Sequence, residues 1–328
     1  AKTVQAEDEI AGICTAIGAA YAGNLAVTTT SGPGLSLKSE ALGLAQITEL
    51  PLVIVDVQRS GPSTGIPTKT EQTDLNQALY GRNGECPIAV IASHSPSHCF
   101  DAAFYAAKYA VEHMMPVILL SEGFLGNGSE PWKIPSMKDY PEIIPPVIKS
   151  SEGAFQPYQR DPETFARKWA LPGTAGLEHR VGGLEKNTAG VISSDPQNHE
   201  KMCAERAEKV ARLANYIPDI QVIGEESGEV LVVGWGGTFG HLFTAVSTLQ
   251  AEGKSVSLAH FDFINPLPKN SAEVFSKFKK IIVCELNSGQ FADYLRAKLP
   301  QFKYEQLNKV QGQPFIVKEV IDAVNNIL

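Results

Sequence analysis

The sequence predicts an α/β fold in which the strands of parallel sheets alternate with helices. Two β-branched runs, at 25–30 and 52–57, each end in a loop rich in Gly, Pro, Ser and Thr. Further short apolar runs follow at 88–92, 117–121, 230–233, 255–258 and 281–284. Such alternation is typical of doubly wound sheets, which place polar loops and ligands at the carboxyl ends of their strands.

Helices are expected wherever apolar residues recur with the helical period between these runs. The first carries Ile10, Ile13 and Ile17 with small residues between them, which indicates close packing. A helix over about 96–113 would have Pro96 in its first turn, where proline is favoured. The remaining helices are expected at about 35–48, 197–215, 239–252, 271–278 and from 316 onward.

The length of 328 residues is enough for two cores. Nine of the 21 prolines fall between residues 122 and 200, which predicts a long connecting segment there. A net charge of -8 provides no positive field for a nucleic acid. Nucleic acid is therefore not an expected partner. No apolar run approaches the length of a membrane span, so a membrane is not an expected partner either. The cytoplasm is the expected compartment.

The five cysteines are single, without a Cys-x-x-Cys pair or a histidine recognised at ligand spacing. They stand at positions 14, 86, 99, 203 and 284. We therefore expect free thiols and predict no zinc site or iron–sulfur cluster on this chain. His94, His98 and His113 are expected to be structural or exposed to solvent.

A glycine-rich stretch at 234–240 follows one predicted strand and opens a helix. It suggests a dinucleotide site with Asp262 as the ribose acceptor, but Phe239 stands where the fingerprint needs its third glycine. Trp235 adds bulk where a pyrophosphate would approach. A tight turn that serves packing is the favoured interpretation, and a weaker phosphate or partner contact stays open.

Two charged features have both an ordinary and a functional interpretation. The acids at 7–9 precede the first helix, where they would stabilise its dipole or supply a carboxylate to a cofactor. Arg59 follows an apolar strand in a loop with glycines, where it would form a surface ion pair or clamp a substrate carboxylate through two parallel hydrogen bonds.

Several blocks of sequence, in order along the chain, resemble one known family. They are 5–13, 30–34, 55–65, 68–72, 179–185, 264–268 and 285–290. Together they resemble the alpha subunit of 2-oxoglutarate:ferredoxin oxidoreductase, within the wider family of 2-oxoacid:ferredoxin oxidoreductases. The resemblance covers nearly the whole chain.

The resemblance implies a specific division of the chain. Residues 1–193 would form a pyrimidine-type, thiamine-diphosphate-binding, doubly wound domain that includes the long connecting segment. Residues 194–219 would form a linker helix, and 220–328 a smaller α/β domain similar to the carboxy-terminal domain of transketolase. The family carries a strand and a Tyr-Pro-Ile-Thr-Pro stretch upstream of its glutamate. Because this sequence starts after them, it is expected to be a fragment, a processed product or one part of a split subunit.

The resemblance also assigns roles to individual residues. Glu7 occupies the position of the catalytic glutamate, which would hydrogen-bond to the pyrimidine ring nitrogen of the cofactor. The turn of Ser31, Gly32 and Pro33 would contact the cofactor as well. Arg59 would hold the substrate carboxylate. The other substrate-binding residues would be Ser63, Thr64 and Lys69, and no metal ligand is assigned.

The implied reaction is oxidative decarboxylation of 2-oxoglutarate to succinyl-CoA, with coenzyme A as co-substrate and electrons passed to ferredoxin. Thiamine diphosphate would be shared with a beta subunit that carries Mg²⁺ and a [4Fe-4S] cluster, in a hetero-oligomer that includes a gamma subunit or domain in some forms. This chain alone is expected to have no turnover. The alternatives are a pyruvate or branched-chain 2-oxoacid enzyme of the same family, and a non-catalytic interaction module that retains the fold.

Overall fold

The computed structural model describes residues 2–328. Within them the α-helices, α1 to α10, span Glu9–Tyr21, Gly32–Thr48, Leu75–Tyr80, His98–His113, Gly123–Asn127, Pro196–Arg212, Phe239–Ala251, Ser271–Ser276, Gln290–Lys298 and Val317–Ile327. The strands, β1 to β12, span Val27–Thr30, Leu52–Gln58, Ala89–Ala92, Pro116–Glu122, Val147–Ile148, Trp169–Ala170, Val222–Ile223, Gly228–Trp235, Val256–Phe261, Phe263–Asn265, Phe278–Glu285 and Glu305–Asn308.

Two five-stranded sheets form the framework of the chain. The first has the order β1-β2-β4-β3-β10, and the second has the order β12-β11-β8-β9-β7. Only the short strands β10 and β7 pair antiparallel to their neighbours. The central strands are buried and nearly all apolar, as expected for parallel sheets with helices on both faces. The predicted α/β fold is therefore confirmed.

The first half of the chain, residues 2–219, and the second half, residues 220–328, share a sheet. Strand β10 belongs to the second half by sequence but pairs with β3 of the first sheet, where Phe263 lies opposite Ile91. Between β9 and β10 stands Asp262, whose carbonyl oxygen accepts a hydrogen bond from the backbone N–H of Ala92 at 2.7 Å. The edge strand β10 of the first sheet thus begins more than 170 residues after the end of β3, the strand with which it pairs.

The long segment between α5 and α6 has little regular structure and is anchored by buried charges. Arg160 in this segment donates from both terminal guanidinium nitrogens to the carboxylate of Glu49, each at 2.7 Å. Lys209 on α6 donates to the same carboxylate at 2.5 Å. Glu49 and Lys209 are fully buried, so one buried carboxylate is shared by two cations from distant segments.

The predicted elements are found with small shifts at their ends. The helix expected from residue 96 begins at His98, so Pro96 precedes the helix instead of occupying its first turn. The apolar runs did not predict β10 or β12, because neither has enough apolar residues to stand out from a loop. Helices α3, α5 and α9 and the two-residue strands β5, β6 and β7 were also not predicted. None of the helices in 2–328 is both long and apolar enough to cross a bilayer.

Candidate functional site

The loops at the carboxyl ends of both sheets converge on one segment, 68–74. In the first sheet, β1, β2 and β4 are parallel and end side by side at Thr30, Gln58 and Glu122. From the second half, the N–H of Gly312 donates to the carboxylate of Glu71 at 3.1 Å. This edge gathers the loops that the sequence analysis selected.

The first part of the site is the corner where α1 starts beside α2. Glu9 is the first residue of α1, and its side chain lies against Gly34: a Cβ at Gly34 would come 2.7 Å from Glu9 Cγ and 1.9 Å from Thr30 Oγ1. Only glycine permits this approach. The ammonium of Lys38 is buried next to the corner, where it donates to Thr28 Oγ1 at 2.6 Å. Burial lowers the pKa of Lys38, and the charge of Glu9 opposes that shift.

The three acids before α1 have different positions. Asp8 is the N-cap, and its Oδ1 accepts from the N–H of Ala11 at 2.7 Å, which is the ordinary role of an acid at this place. Glu7 is exposed and precedes the helix, whereas Glu9 is half-buried and faces the start of α2. The geometry therefore places the carboxylate of Glu9, and not that of Glu7, at the α1–α2 corner.

The turn between β1 and α2 is tight and backbone-rich. Ser31 is the extended N-cap of α2, its side chain makes no capping hydrogen bond, and Pro33 lies in the first helical turn. Gly32 is packed against Asp74, since a Cβ at Gly32 would lie 2.3 Å from Asp74 Oδ1. The first turn of α2 is therefore enclosed by Glu9 on one side and Asp74 on the other.

The loop that carries Arg59 is pinned at its base. The N–H of Ser60 donates to the carbonyl of Lys69 at 2.9 Å, and the N–H of Ile66 donates to the carbonyl of Ser60 at 3.2 Å. Gly65 has φ 47°, and a Cβ there would lie 1.9 Å from that same carbonyl oxygen. Within this segment, the side chains of Ser63, Thr64 and Lys69 are exposed.

Arg59 is half-buried and its Nε has no hydrogen-bond partner in the described chain. No carboxylate of residues 2–328 forms an ion pair with it within 4.0 Å. Burial and the charge of Glu71 raise the pKa of Asp74 to about 6, while Arg59 partly opposes the rise. The surface ion pair that was one interpretation of Arg59 is thus not formed within residues 2–328.

Two buried carboxyl groups near the site were not selected from the sequence. Asp56 lies on β2 with both oxygens lacking a partner, and burial followed by the charge of Asp74 raises its pKa. Glu122 ends β4, accepts from Thr70 Oγ1 at 3.0 Å, and has its pKa raised by burial to about 7. An acid inside an otherwise apolar strand is the sequence signal by which Asp56 could have been found.

The glycine-rich stretch after β8 serves packing. A Cβ at Gly237 would lie 2.0 Å from Glu122 Oε1, and one at Gly234 would lie 2.2 Å from Leu242 Cδ1. The space next to these glycines is filled by the protein's own side chains, which favours the tight-turn interpretation. His113 is buried with its pKa lowered by burial to about 4, in agreement with a structural role. All five cysteines are free.

Comparison with known proteins places this geometry in a family. The profile of the pyruvate flavodoxin/ferredoxin oxidoreductase, thiamine-diphosphate-binding family matches residues 1–195. The 2-oxoglutarate oxidoreductase subunit KorA of Mycobacterium tuberculosis is 51% identical over 97% of this chain, which spans 48% of that protein. The 2-oxoglutarate synthase subunit KorA of Methanothermobacter marburgensis is 32% identical over 98% of the chain and 85% of its own length.

Solved structures agree with this relationship. The 2-oxoglutarate:ferredoxin oxidoreductase from Magnetococcus marinus, with 2-oxoglutarate, coenzyme A and succinyl-CoA bound, superimposes with a TM-score of 0.95 at 34% identity. The match covers 99% of this chain and 57% of that one. A split-gene transketolase shares the fold alone, with a TM-score of 0.54 at 12% identity over 96% of this chain and 80% of its own. The chain therefore belongs to the thiamine-diphosphate-binding family of pyruvate flavodoxin/ferredoxin oxidoreductases, and within it to the relatives of 2-oxoglutarate oxidoreductase alpha subunits.

Proposed function

We propose that this chain is the alpha-subunit portion of a 2-oxoglutarate:ferredoxin oxidoreductase. In that enzyme, 2-oxoglutarate, coenzyme A and two oxidised ferredoxins yield succinyl-CoA, carbon dioxide, two reduced ferredoxins and a proton. The chain would hold the pyrimidine side of thiamine diphosphate and the substrate carboxylate next to the ketone. The names of relatives with 51% and 32% identity support 2-oxoglutarate as the substrate.

The observation that carries the proposal is Arg59, half-buried at the carboxyl edge without an ion-pair partner in the described chain. Keeping a guanidinium out of bulk water is unfavourable unless an anion compensates its charge. A 2-oxoacid carboxylate would accept two parallel hydrogen bonds from it. We propose that Ser63, Thr64 and Lys69 on the same loop contact the rest of the substrate.

The α1–α2 corner fits the pyrimidine side of thiamine diphosphate. When bound, that cofactor supplies a carbon nucleophile and an electron sink for the 2-oxoacid. Glu9 offers a half-buried carboxylate, next to the buried ammonium of Lys38, to hydrogen-bond with a ring nitrogen. The close-packed turn of Ser31, Gly32 and Pro33 would bring backbone against the ring. The glutamate that the resemblance assigned as Glu7 is in our proposal Glu9.

The remaining centres are proposed to lie on other subunits. Among residues 2–328, the groups of side chains spaced for a metal ion centre on Asp262 and on Glu185, and neither includes a residue of the Arg59 loop or the α1–α2 corner. We assign Mg²⁺ with the diphosphate, and the [4Fe-4S] cluster, to a beta subunit. Ferredoxin is the proposed acceptor, a gamma subunit or domain completes some assemblies, and the cytoplasm is the proposed compartment.

The test uses the assembled enzyme purified from its native cells. We expect viologen reduction that requires thiamine diphosphate and coenzyme A and that is supported by 2-oxoglutarate but not by pyruvate or branched-chain 2-oxoacids. Activity with one of the other acids would identify the alternative enzyme of the same family. Assembly without any activity would support the non-catalytic module, and turnover by the isolated chain would contradict a shared cofactor site.

Variants in the assembled enzyme separate the residue roles. Arg59→Lys keeps the charge but loses the two-pronged geometry, so the KM for 2-oxoglutarate is expected to rise at least tenfold. Glu9→Gln is expected to reduce kcat by at least a hundredfold with assembly intact, while Glu7→Gln serves as the matched control with little effect. The reverse order of the two effects would return the role to Glu7.

A further inference from the structure

A cluster of histidines surrounds Asp262 at the junction of the two halves. His94 follows β3, His260 lies near the end of β9, and Asp262 follows that strand. His94 Nδ1 is 2.8 Å from Asp262 Oδ1, and His260 Nδ1 is 3.9 Å from the same oxygen. The three candidate ligand atoms all lie within 4.8 Å of one another. Residues 94 and 262 are far apart in sequence, so no local spacing motif marks this cluster.

The hydrogen bonds around His260 leave a lone pair facing Asp262. The hydroxyl of Thr238 donates to the carbonyl of Trp235 at 2.7 Å, so its oxygen is left to accept from His260 Nε2 at 3.5 Å. We take the tautomer of His260 that has its proton on Nε2, since this contact supports it. Nδ1 and the carboxylate oxygen are then two acceptors that face each other, an arrangement that a cation between them would resolve.

A second layer of side chains holds the carboxylate and one imidazole in place. His98 Nδ1 accepts from the backbone N–H of His94 at 3.3 Å, which leaves its Nε2 proton directed at Asp262 Oδ2, 3.8 Å away. The His98 ring also stacks on His94 with a centroid separation of 3.8 Å. Phe239 packs against His94 and His260 at 4.8 and 5.1 Å. Such outer support is typical of metal sites.

We propose that His94, His260 and Asp262 bind a divalent transition-metal ion of the zinc type. Imidazole nitrogen and carboxylate oxygen suit such ions, and bonds of about 2.0–2.1 Å in tetrahedral geometry separate two ligand atoms by about 3.3 Å. The observed separations of 2.8 and 3.9 Å lie on either side of that value. The ion replaces the proton shared between His94 and Asp262, and that proton leaves to solvent.

The site is open to solvent on one side. The side chain of Asp262 is 32% exposed and that of His94 is 24% exposed, whereas His260 is 5% exposed. Three protein ligands therefore leave a fourth position for water. Because His94 belongs to the first half and the other two ligands to the second, the bound ion would link the halves and stabilise their junction.

A second group of possible ligands, Glu185, His199 and Cys203, provides the matched control. Arg206 donates to both oxygens of Glu185 at 3.1 and 2.8 Å, so that carboxylate is already neutralised. The side chain of His199 is 65% exposed and lies on α6. We therefore assign the ion to the Asp262 cluster and not to this one.

The experiment measures zinc in the untagged, assembled enzyme after equilibration with Zn²⁺ in a chelator-buffered solution. We expect wild type and His199→Asn to bind one more zinc per chain than His94→Gln or Asp262→Asn. Zinc is also expected to raise the Tm of wild type and not that of His94→Gln. Equal zinc content in all four proteins, or loss of zinc only in His199→Asn, would overturn the proposal.

Folding of the variants is checked without added metal. His94 is partly exposed and Asp262→Asn keeps an acceptor for His94, so both metal-free variants should have the circular dichroism spectrum of metal-free wild type. Co²⁺ provides an independent readout, since its visible absorption in wild type should show tetrahedral coordination and disappear in His94→Gln. The absence of that spectrum in wild type would count against the site. The inference does not depend on the proposed catalytic function.

Discussion

Gln72 and Leu286 are joined by two hydrogen bonds that run in opposite directions. The N–H of Gln72 donates to the carbonyl of Leu286 at 2.9 Å, and the N–H of Leu286 donates to Gln72 Oε1 at 2.9 Å. Gln72 Nε2 also donates to the carbonyl of Trp235 at 2.7 Å. A single buried side chain thereby connects the segment that gathers the site loops to two strand ends of the second sheet.

Replacement of Gln72 by Ala should therefore loosen the junction between the halves. It leaves a buried N–H at Leu286 and a buried carbonyl at Trp235 with one partner fewer, so we expect the free energy of unfolding to fall by about 2–4 kcal/mol. Chemical denaturation measures this. Gln290→Ala is the control: it removes two hydrogen bonds between the same regions at a partly exposed site, where water replaces them, and should cost less than about 1 kcal/mol. Equal losses would contradict the role of burial.

Glu122 should make the stability of the chain fall as the pH rises. Burial raises its folded-state pKa from 4.5 to about 7, so the folded state holds a proton that the unfolded state has released between these values. Its contribution is complete below pH 4.5 and is lost as the pH rises through about 7, with a slope of about 1.4 kcal/mol per pH unit. Glu122→Gln should remove this slope in denaturation measured across the range. A difference between wild type and variant that does not change with pH would argue against a buried, protonated carboxyl.

The buried charges around Glu49 should be costly to unbalance. Glu49→Gln leaves Lys209 and Arg160 in the interior without the anion they share, so we expect a loss of about 3–5 kcal/mol. Glu205→Gln removes only the other, 22% exposed, partner of Arg160 and should cost about 1 kcal/mol or less. Thermal and chemical denaturation compare the two. Similar losses would mean that the network is not held by its buried anion.

The ion pairs of Glu49 also make the stability of the chain fall at low pH. Although burial alone would raise the pKa of Glu49, the charges of Lys209 and Arg160 outweigh it and lower the pKa from 4.5 to about 2. The stabilisation is therefore present above pH 4.5 and lost as the pH falls toward 2. Glu49→Gln should be less sensitive than wild type to acid over this window.

Gly34→Ala should damage the α1–α2 corner in a specific way. The added methyl would lie 1.9 Å from Thr30 Oγ1 and 2.7 Å from Glu9 Cγ, so the Glu9 side chain must leave its place beside Gly34. We expect at least tenfold weaker binding of thiamine diphosphate by the assembled enzyme. Gly18→Ala is the matched control on α1: its Cβ meets nothing within 4 Å, and it should stabilise the helix by up to about 1 kcal/mol without affecting the cofactor. Unchanged cofactor binding in Gly34→Ala would contradict the placement of Glu9.

The sequence was sufficient for the main strands and for the loop of Arg59, because both depend on local patterns. Apolar runs such as 52–57 and 117–121 are long enough to be recognised, and the polar loop that follows them must lie at the sheet edge. The sequence could not distinguish Glu7 from Glu9. That distinction depends on the residue at which α1 begins and on which face of α1 packs against Gly34.

Features that depend on distant contacts were also beyond the sequence. Lys38 reads as an ordinary surface lysine until β1 places Thr28 beside it. Asp262 was considered as a ribose acceptor after its strand, but its partner His94 lies 168 residues earlier in the chain. Such juxtapositions follow from the sheet order, which neither periodicity nor spacing encodes.

The strand at Phe263–Asn265 has a consequence for any attempt to divide this chain. It covers the outer side of β3, a strand whose four residues are all buried. A product that stops before residue 220 would display the unpaired N–H and carbonyl groups of an apolar strand, which is a ready template for another chain. We expect the first half, expressed by itself, to aggregate. By pairing with β3, the second half of the chain thus prevents the first half from associating with other copies through this edge.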